Sequence, residues 1–195
     1  MRHLLQDKVV TLGAANARVV DVLADAGLLC REYPGWDLAL NKFFFRIGDL
    51  PEARGLPRGL RWGTLGEGDL EVVRARTSIP RTTRTLMSLA NVGVFEEGTG
   101  RAVAWTFLGV DGSLTTVHTE EEWRGRGIAK AVAVRIMREH AGEIAVDGEG
   151  NAWAHADVYV GNVQSESVCR SLGGKADASI LWCRIDIGRA EKLAA

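Results

Sequence analysis

The sequence predicts a mixed α/β fold in which strands surround one central helix. That helix is the clearest element, because apolar residues recur every three to four positions between Ile128 and Gly142. Before it, β-branched and aromatic segments are separated by the short turns Gly98-Thr99-Gly100 and Asp111-Gly112, a pattern typical of hairpins. After it we expect a strand, a short helix that ends at Gly173-Gly174, and a last strand. This order favours a sheet flanked by helices.

The chain divides at residues 51–59, where two prolines and two glycines predict a linker. We therefore expect an N-terminal extension over 1–55, with a helix at 16–26 and an aromatic strand or short helix at 38–50, and a larger domain over 56–195. In the larger domain, strands are predicted at 60–65, 91–97, 101–110, 113–119, 152–160 and 178–187, and helices at 66–77, 128–142 and 162–172.

Composition narrows the classes of function. The 195 residues include 24 basic and 25 acidic ones, a formal net charge of -1, which argues against a general nucleic-acid binder. The three cysteines have no paired spacing, so neither a disulfide framework nor a thiolate metal site is expected. No segment is typical of a signal peptide or a membrane span. We expect a cytoplasmic protein with reduced thiols, no metal and no membrane contact.

The glycine turn Arg124-Gly125-Arg126-Gly127-Ile128-Ala129 lies between a predicted strand and the central helix. At such a place, unpaired backbone amides and the positive helix end can hold a diphosphate, and the glycines let the backbone approach it closely. The alternative is a simple turn with solvated arginines. Two other phosphate motifs do not fit. A dinucleotide fingerprint requires Gly or Ala where Lys130 stands, and Gly-Lys-Ser/Thr is absent from the sequence.

This arrangement resembles the GNAT acyltransferase superfamily, whose signature Gln/Arg-x-x-Gly-x-Gly/Ala is filled by Arg124, Gly127 and Ala129. The family's second landmark, an Asn before a helix that closes on Leu-Gly, matches Asn162, with Ser165 three positions on and Leu172-Gly173 at the end. The resemblance spans about residues 60–187. The run over 102–127 looks most like the C-terminal domain of the glycine N-acyltransferase branch and related fungal proteins.

The resemblance implies a GNAT-like mixed sheet with two splayed strands, and acetyl-CoA or another acyl-CoA as the cofactor. By position, Val117, His118 and Thr119 would offer backbone groups to the pantetheine arm, and Asn162 and Ser165 would line the acceptor side of the cofactor cleft. The pyrophosphate would meet backbone amides and charges of Arg124, Gly125, Arg126, Gly127, Ile128, Ala129 and Lys130.

The catalytic positions depart from the family pattern. Where many relatives carry a general-base Glu, this chain has Ser113, which cannot act as a base at neutral pH. His118 is the best substitute by intrinsic pKa, although a strand histidine used only through its backbone is an equally good interpretation. Asp111, Glu120 and Asp157 are weaker candidates. The acidic run 120–122 could attract a cationic amine, but a solvated loop is the simpler interpretation.

Cys169 stands where the family usually has a general-acid Tyr. An unperturbed thiol has a pKa of about 8.5, so it could protonate the leaving CoA thiolate. A small buried apolar residue is the equal alternative. Tyr159 could donate instead, although a packing role is the better interpretation. His155, Asp157 and Tyr159 share one face of a strand. That face could meet the acceptor, but a hydrogen-bonded surface stripe is the more ordinary interpretation.

The leading hypothesis is transfer of an acyl group from CoA to a primary amine by direct attack of the amine on the thioester. Acetyl is the leading candidate for the acyl group. A small-molecule amine is the expected acceptor, and a homodimer is one option for assembly. Two alternatives stay open. One is a CoA-binding or sensing module that has lost catalysis, and the other is an acetyltransferase that acts on protein lysines or N-termini.

Overall fold

A computed structural model describes residues 7–33, 35–77 and 79–193. The chain forms two compact units. The first holds the described residues of Met1–Phe43, Asp157–Val163 and Ala176–Ala195, and the second those of Phe44–Ala156 and Gln164–Lys175. No helix among the described residues is long and apolar enough to cross a membrane.

Eight strands and six α-helices follow one another in these residues. The strands are β1 (Val9–Asn16), β2 (Leu40–Arg46), β3 (Leu60–Gly63), β4 (Ala90–Glu96), β5 (Ala102–Leu108), β6 (Leu114–Thr119), β7 (Trp153–Tyr159) and β8 (Lys175–Asp186). The helices are α1 (Ala17–Asp25), α2 (Leu70–Ala75), α3 (Thr83–Met87), α4 (Ile128–His140), α5 (Val163–Ser171) and α6 (Ile187–Leu193).

The first sheet has the strand order β1-β8-β2-β7. Strand β1 pairs antiparallel with β8, from Val9 opposite Asp186 to Asn16 opposite Ile180, with an irregularity between Leu12 and Ala15. Apolar side chains of α1 and β8 pack together in the first unit, around the buried residues Val20, Leu29 and Cys183. Strand β1 was not predicted, because its run of small residues has no clear alternation.

The second sheet is antiparallel, in the order β3-β4-β5-β6. Strand β5 is buried along its whole length. Trp105 and Phe107 lie on one of its faces and pack with Leu70 and Val73 of α2 and Leu86 of α3. Helix α4 packs on β4, β5 and β6. The sheet therefore presents β6 as an edge strand with helices nearby, and a 3₁₀ turn at Glu121–Trp123 connects β6 to the glycine turn.

The predicted mixed α/β fold is confirmed. Strands β2 to β8 and helices α1, α2, α4 and α5 lie close to their predicted positions, and the aromatic segment at 38–50 is a strand. Helices α3 and α6 were missed, since 5 and 7 residues are too few to show a periodicity. The domain boundary between residues 55 and 56 stays a prediction.

Candidate functional site

The glycine turn ends in the N-terminus of α4, and its backbone amides point away from the helix ladder. Gly125 and Gly127 have φ values of 73° and 80°, a region that favours glycine. The first helical hydrogen bond runs from the Ala131 amide to the Gly127 carbonyl, at 3.0 Å. The six amides of residues 125–130 have no acceptor among the described residues, and no side chain caps the helix. Six adjacent donors at the positive end of a 13-residue helix form a candidate anion site.

Two arginines, Arg124 and Arg126, brace this turn. Arg124 donates from Nε to the Thr119 carbonyl at 3.1 Å, which ties the turn to the end of β6. Arg126 donates to the Glu122 carbonyl at 3.3 Å and lies 4.8 Å above the Trp123 ring. Both guanidinium groups are solvent-exposed and stay within one turn of the free amides. They add positive charge to the anion site without closing it.

A second network holds the segment before the turn. Arg101 contacts Glu96 at 3.1 Å and Glu122 at 2.6 Å, and the Trp123 indole donates to Glu96 at 3.3 Å. Hydrogen bonds, first from Arg101 and then from Thr99, lower the pKa of Glu96 to about 2. This carboxylate is therefore charged throughout the physiological range, and the network anchors the start of the turn to β4.

Strand β6 contains a bulge that the sequence did not reveal. Thr116 has a φ of 55°, rare for a β-branched residue, and the register with β5 shifts between Trp105 and Phe107. The fully buried Thr106 hydroxyl donates to the Thr115 carbonyl at 3.2 Å. The register pairs Phe107 with Thr115 and Trp105 with His118. Since paired residues share a face, the bulge turns both Thr115 and His118 toward the side of α2 and α3.

His118 lies in a polar cluster on that face. Its ring stacks on Trp105, with centroids 4.6 Å apart and an interplanar angle of 22°. Its Nε2 lies 3.6 Å from Glu120 Oε2, and Arg76 Nε lies 3.1 Å from Glu120 Oε1. Burial lowers the pKa of His118 from its usual value, against the raising effect of Glu120. A neutral imidazole at neutral pH is the state that a general base requires.

Unpaired polar atoms are concentrated around β6. Among the described side chains, four buried nitrogen or oxygen atoms have no hydrogen-bond partner: Arg81 Nε, Trp105 Nε1, His118 Nε2 and Thr119 Oγ1. Arg81 also reaches Thr115 Oγ1 at 3.4 Å. A buried polar group without a partner costs about 1–3 kcal/mol, so such groups are rare unless a water molecule or a ligand satisfies them. Their clustering makes the β6 edge a candidate ligand site.

Ser113, at the expected Glu position, joins the start of β6 to β7. It forms a parallel bridge with His155, whose amide donates to the Gly112 carbonyl at 3.1 Å. The two strands otherwise belong to different sheets, as the predicted splay requires. The Ser113 amide donates to Asp111 Oδ1 at 3.0 Å, and His155 Nε2 lies 3.8 Å from Asp111 Oδ2. Burial raises the pKa of Asp111, but hydrogen bonds from Ser113 outweigh it and lower the pKa overall.

The other two candidate bases, Glu120 and Asp157, are both in ion pairs. Glu120 is only 8% exposed, so the interpretation of residues 120–122 as a solvated loop is wrong for Glu120, although Glu121 and Glu122 are exposed. The sequence-based interpretation did not include Arg76. Its guanidinium pairs with Glu120 and makes burial of this carboxylate tolerable. Asp157, in the first unit, contacts Lys42 at 2.9 Å.

Cys169 is buried in α5, and burial raises the pKa of its thiol to about 12. A thiol that holds its proton this tightly is a poor acid toward a CoA thiolate, so burial favours the packing interpretation. Tyr159 is 43% exposed, which does not fit a packing role.

The remaining cofactor candidates have separate places. Val117 lies in β6 between the bulge and His118, and is partly buried. Ile128 is 2% exposed in the first turn of α4, so only its backbone amide is available to a ligand, while Ala129 and Lys130 are partly buried. Ser165 lies in the first turn of α5, in the second unit. Asn162 belongs to the first unit, where its amide donates to the Tyr159 carbonyl at 3.0 Å. The structure therefore brings together Thr119, Arg124 and the amides of 125–130.

The chain is similar to one family model and to several solved structures. Residues 91–183 match the family model described as FR47-like protein. No curated protein sequence matches significantly. Similar solved structures include a Drosophila protein, 17% identical, with a TM-score of 0.69 over 91% of this chain and 61% of that one. A GCN5-related N-acetyltransferase from Sphaerobacter thermophilus is 17% identical, with a TM-score of 0.60 over 94% of this chain and 62% of that one.

A third structure is an acetyltransferase from the GNAT family from Colwellia psychrerythraea, 13% identical, with a TM-score of 0.57 over 91% of this chain and 64% of that one. The chain thus spans 61 to 64% of the length of these three proteins. At such identities the likeness establishes the fold. The FR47-like match covers residues 91–183, just under half of the chain, and the fold is the one found in these GNAT acetyltransferase structures.

Proposed function

We propose that this protein is an acyl-CoA N-acyltransferase that moves an acyl group from CoA to a primary amine, with acetyl as the leading candidate for that group. The observation that carries the proposal is the row of six unpaired amides from Gly125 to Lys130 at the N-terminus of α4. A diphosphate supplies several acceptor oxygens and negative charges to such a row. Arg124 and Arg126 lie beside it, and Gly125 and Gly127 carry no side chain that would block it.

The residues present fit two parts of acyl-coenzyme A, its diphosphate and its acylated pantetheine arm. Its diphosphate would be held by the amides of 125–130, and its pantetheine arm would follow β6 toward the bulge at Thr116. The acyl group would then lie near Thr115 and His118, where the unpaired Arg81 Nε, Trp105 Nε1 and His118 Nε2 also lie. The buried orphan atoms and the free amides thus support one continuous site along the end of the strand and the turn.

His118 is the general base in this proposal. Its Nε2 faces Glu120, which leaves Nδ1 to take a proton from the acceptor ammonium. The amine nitrogen then attacks the thioester carbonyl carbon, a C–N bond forms and the C–S bond breaks. The nitrogen loses one further proton, which ends on the CoA sulfur. Free CoA and an amide result, and His118 returns its proton to solvent. Cys169 has no part in this step, because burial raises the pKa of its thiol to about 12.

The finer identity is also a proposal. We place the chain nearest the glycine N-acyltransferase-like branch, on the likeness of residues 102–127, with a small-molecule amine as acceptor. We further propose a cytoplasmic protein, since its three cysteines are free and buried.

The decisive experiment measures thiol release from acetyl-CoA against a panel of small amines and, in parallel, a peptide library. Turnover on at least one small amine, with mass-spectrometric detection of the acylated product, is the expected result. Saturable acetyl-CoA binding without turnover on any amine or peptide would replace the enzyme with a CoA-binding module. That second candidate is favoured by Ser113 at the expected base position and by the buried Cys169 thiol. Turnover confined to peptides would move the acceptor class to proteins.

A further inference from the structure

Two charged residues, Glu120 and Arg76, lie beside the histidine that the proposed function uses. We propose that Glu120, clamped by Arg76, is a positioning residue that fixes the His118 ring and supports the proton it accepts. The inference rests on the proposed function for its kinetic meaning, but its geometry stands by itself. Glu120 Oε2 faces His118 Nε2 at 3.6 Å, and Arg76 Nε lies 3.1 and 3.4 Å from the two Glu120 oxygens.

Burial makes this arrangement unlike an ordinary surface ion pair. The side chains of Glu120 and His118 are 11% and 15% exposed, whereas Arg76 is 46% exposed. A carboxylate this buried requires a partner, and Arg76 supplies one. The ring cannot turn freely either, because it stacks on the fully buried Trp105. Both the ring plane and the carboxylate are therefore held before any ligand binds.

The distance of 3.6 Å is too long for a hydrogen bond, and Nε2 has no other partner among the described residues. The neutral ring thus leaves one contact unmade. When Nδ1 accepts a proton from the acceptor, the ring becomes a cation beside a buried carboxylate, and the attraction between them rises at low local dielectric. Glu120 then favours the protonated ring that forms during the reaction, without touching substrate.

The charged groups around His118 pull in opposite directions. Glu120 raises the pKa of His118, while Arg124 and Arg76 lower it, and burial lowers it most. Removal of the Glu120 charge should therefore lower the pKa of His118 further. Removal of the Arg76 charge should raise it, because a cation is lost and Glu120 is no longer neutralised. Opposite shifts would show that both charges act on the ring, and the pH dependence of the reaction then shows whether this matters for catalysis.

The test uses the full chain with Glu120→Gln, Arg76→Gln and Arg76→Lys. The titration of His118 is followed by NMR, with His118→Gln to identify its signal among the four histidines. Glu139→Gln removes a charge from the exposed α4 pair with Arg135 at 2.8 Å and is the matched control. We expect the midpoint to fall in Glu120→Gln, to rise in Arg76→Gln, and to stay near the wild-type value in Arg76→Lys and Glu139→Gln. Circular dichroism confirms that each variant is folded.

Kinetics supply the second readout. Activity requires neutral His118, so the acidic limb of the kcat/KM profile should move with the NMR midpoint, to lower pH in Glu120→Gln and to higher pH in Arg76→Gln. At its plateau Glu120→Gln should lose roughly tenfold in kcat/KM, which is less than the 10²–10⁴-fold that a general base itself contributes. Midpoints that do not move, or move the same way in both variants, overturn the proposal. If the NMR midpoints shift in opposite directions but the protein acylates no amine, the electrostatic coupling of Glu120 and Arg76 to His118 is supported and the proposed acyltransferase function is rejected.

Discussion

The charge at position 127 offers the sharpest test of the anion site. Gly127 has a φ of 80°, and a Cβ placed there meets no atom within 4 Å. Gly127→Glu and Gly127→Gln therefore fit sterically, and both bear the same left-handed strain of roughly 1–2 kcal/mol. The two side chains have nearly the same shape and differ by one negative charge. Their difference in acetyl-CoA affinity thus isolates the electrostatic part of binding.

The size of the effect follows from Coulomb's law. Two like unit charges about 5 Å apart repel by roughly 1–3 kcal/mol when the effective dielectric constant lies between about 80 and 20. A diphosphate held by the amides of 125–130 should therefore bind about 5- to 150-fold more weakly to Gly127→Glu than to Gly127→Gln. At about 1 M salt the Debye length shrinks to about 3 Å, so most of this difference should disappear.

Isothermal titration calorimetry with acetyl-CoA at low and high salt measures both quantities. Chemical denaturation checks that the two variants are equally stable, which their shared backbone strain requires. Equal affinities for acetyl-CoA in the two variants at low salt would refute the diphosphate assignment. A difference that persists unchanged in 1 M salt would also refute it, because the effect would then not be Coulombic.

Two further predictions concern the strand and the helix next to the site. Thr106→Val removes the hydroxyl that satisfies the Thr115 carbonyl at the bulge, so the free energy of unfolding should fall by about 1–3 kcal/mol, as measured by denaturant titration. Thr106→Ser keeps the hydroxyl and should lose less, and equal losses would contradict the role of the bond. Cys169→Ala should leave kcat within about twofold, because a thiol with a pKa of about 12 is a poor acid toward a CoA thiolate. A loss of 10²-fold or more in kcat, with acetyl-CoA binding intact, would restore Cys169 as the general acid.

The turn was predictable because its signal is local. Two glycines and two arginines lie within four residues, directly before a helix whose apolar periodicity is unambiguous. Local geometry then follows with little freedom, since an uncapped helix N-terminus always leaves amides unpaired. The hairpins around β5 were predictable for the same reason. Their turn residues at 98–100 and 111–112 lie between clear apolar segments.

The bulge at Thr116 was not predictable in this way. The segment 114–119 contains three threonines and a valine, which favour a regular strand. The positive φ of Thr116 is made tolerable by a hydroxyl on another strand, that of Thr106, whose buried position only the folded sheet reveals. The face on which His118 lies depends on this bulge. Periodicity alone therefore could not decide between its backbone role and its side-chain role.

The polar cluster around His118 shows why the proton-transfer part of the proposed site is harder to predict from sequence than the anion-binding part. Arg76 and Glu120 are separated by 44 positions, and sequence patterns treat the one as the end of a helix and the other as part of an acidic run. Only the pairing of β5 with β6 and the packing of α2 on Trp105 bring them to His118. The anion site is built from consecutive backbone groups and can be recognised from a motif. The proposed proton-transfer site is built from side chains on three separate segments, so its chemistry depends on the fold. A search for the base that stops at Ser113 would therefore overlook His118, a buried imidazole that stacks on Trp105 and has the Glu120 carboxylate beside it.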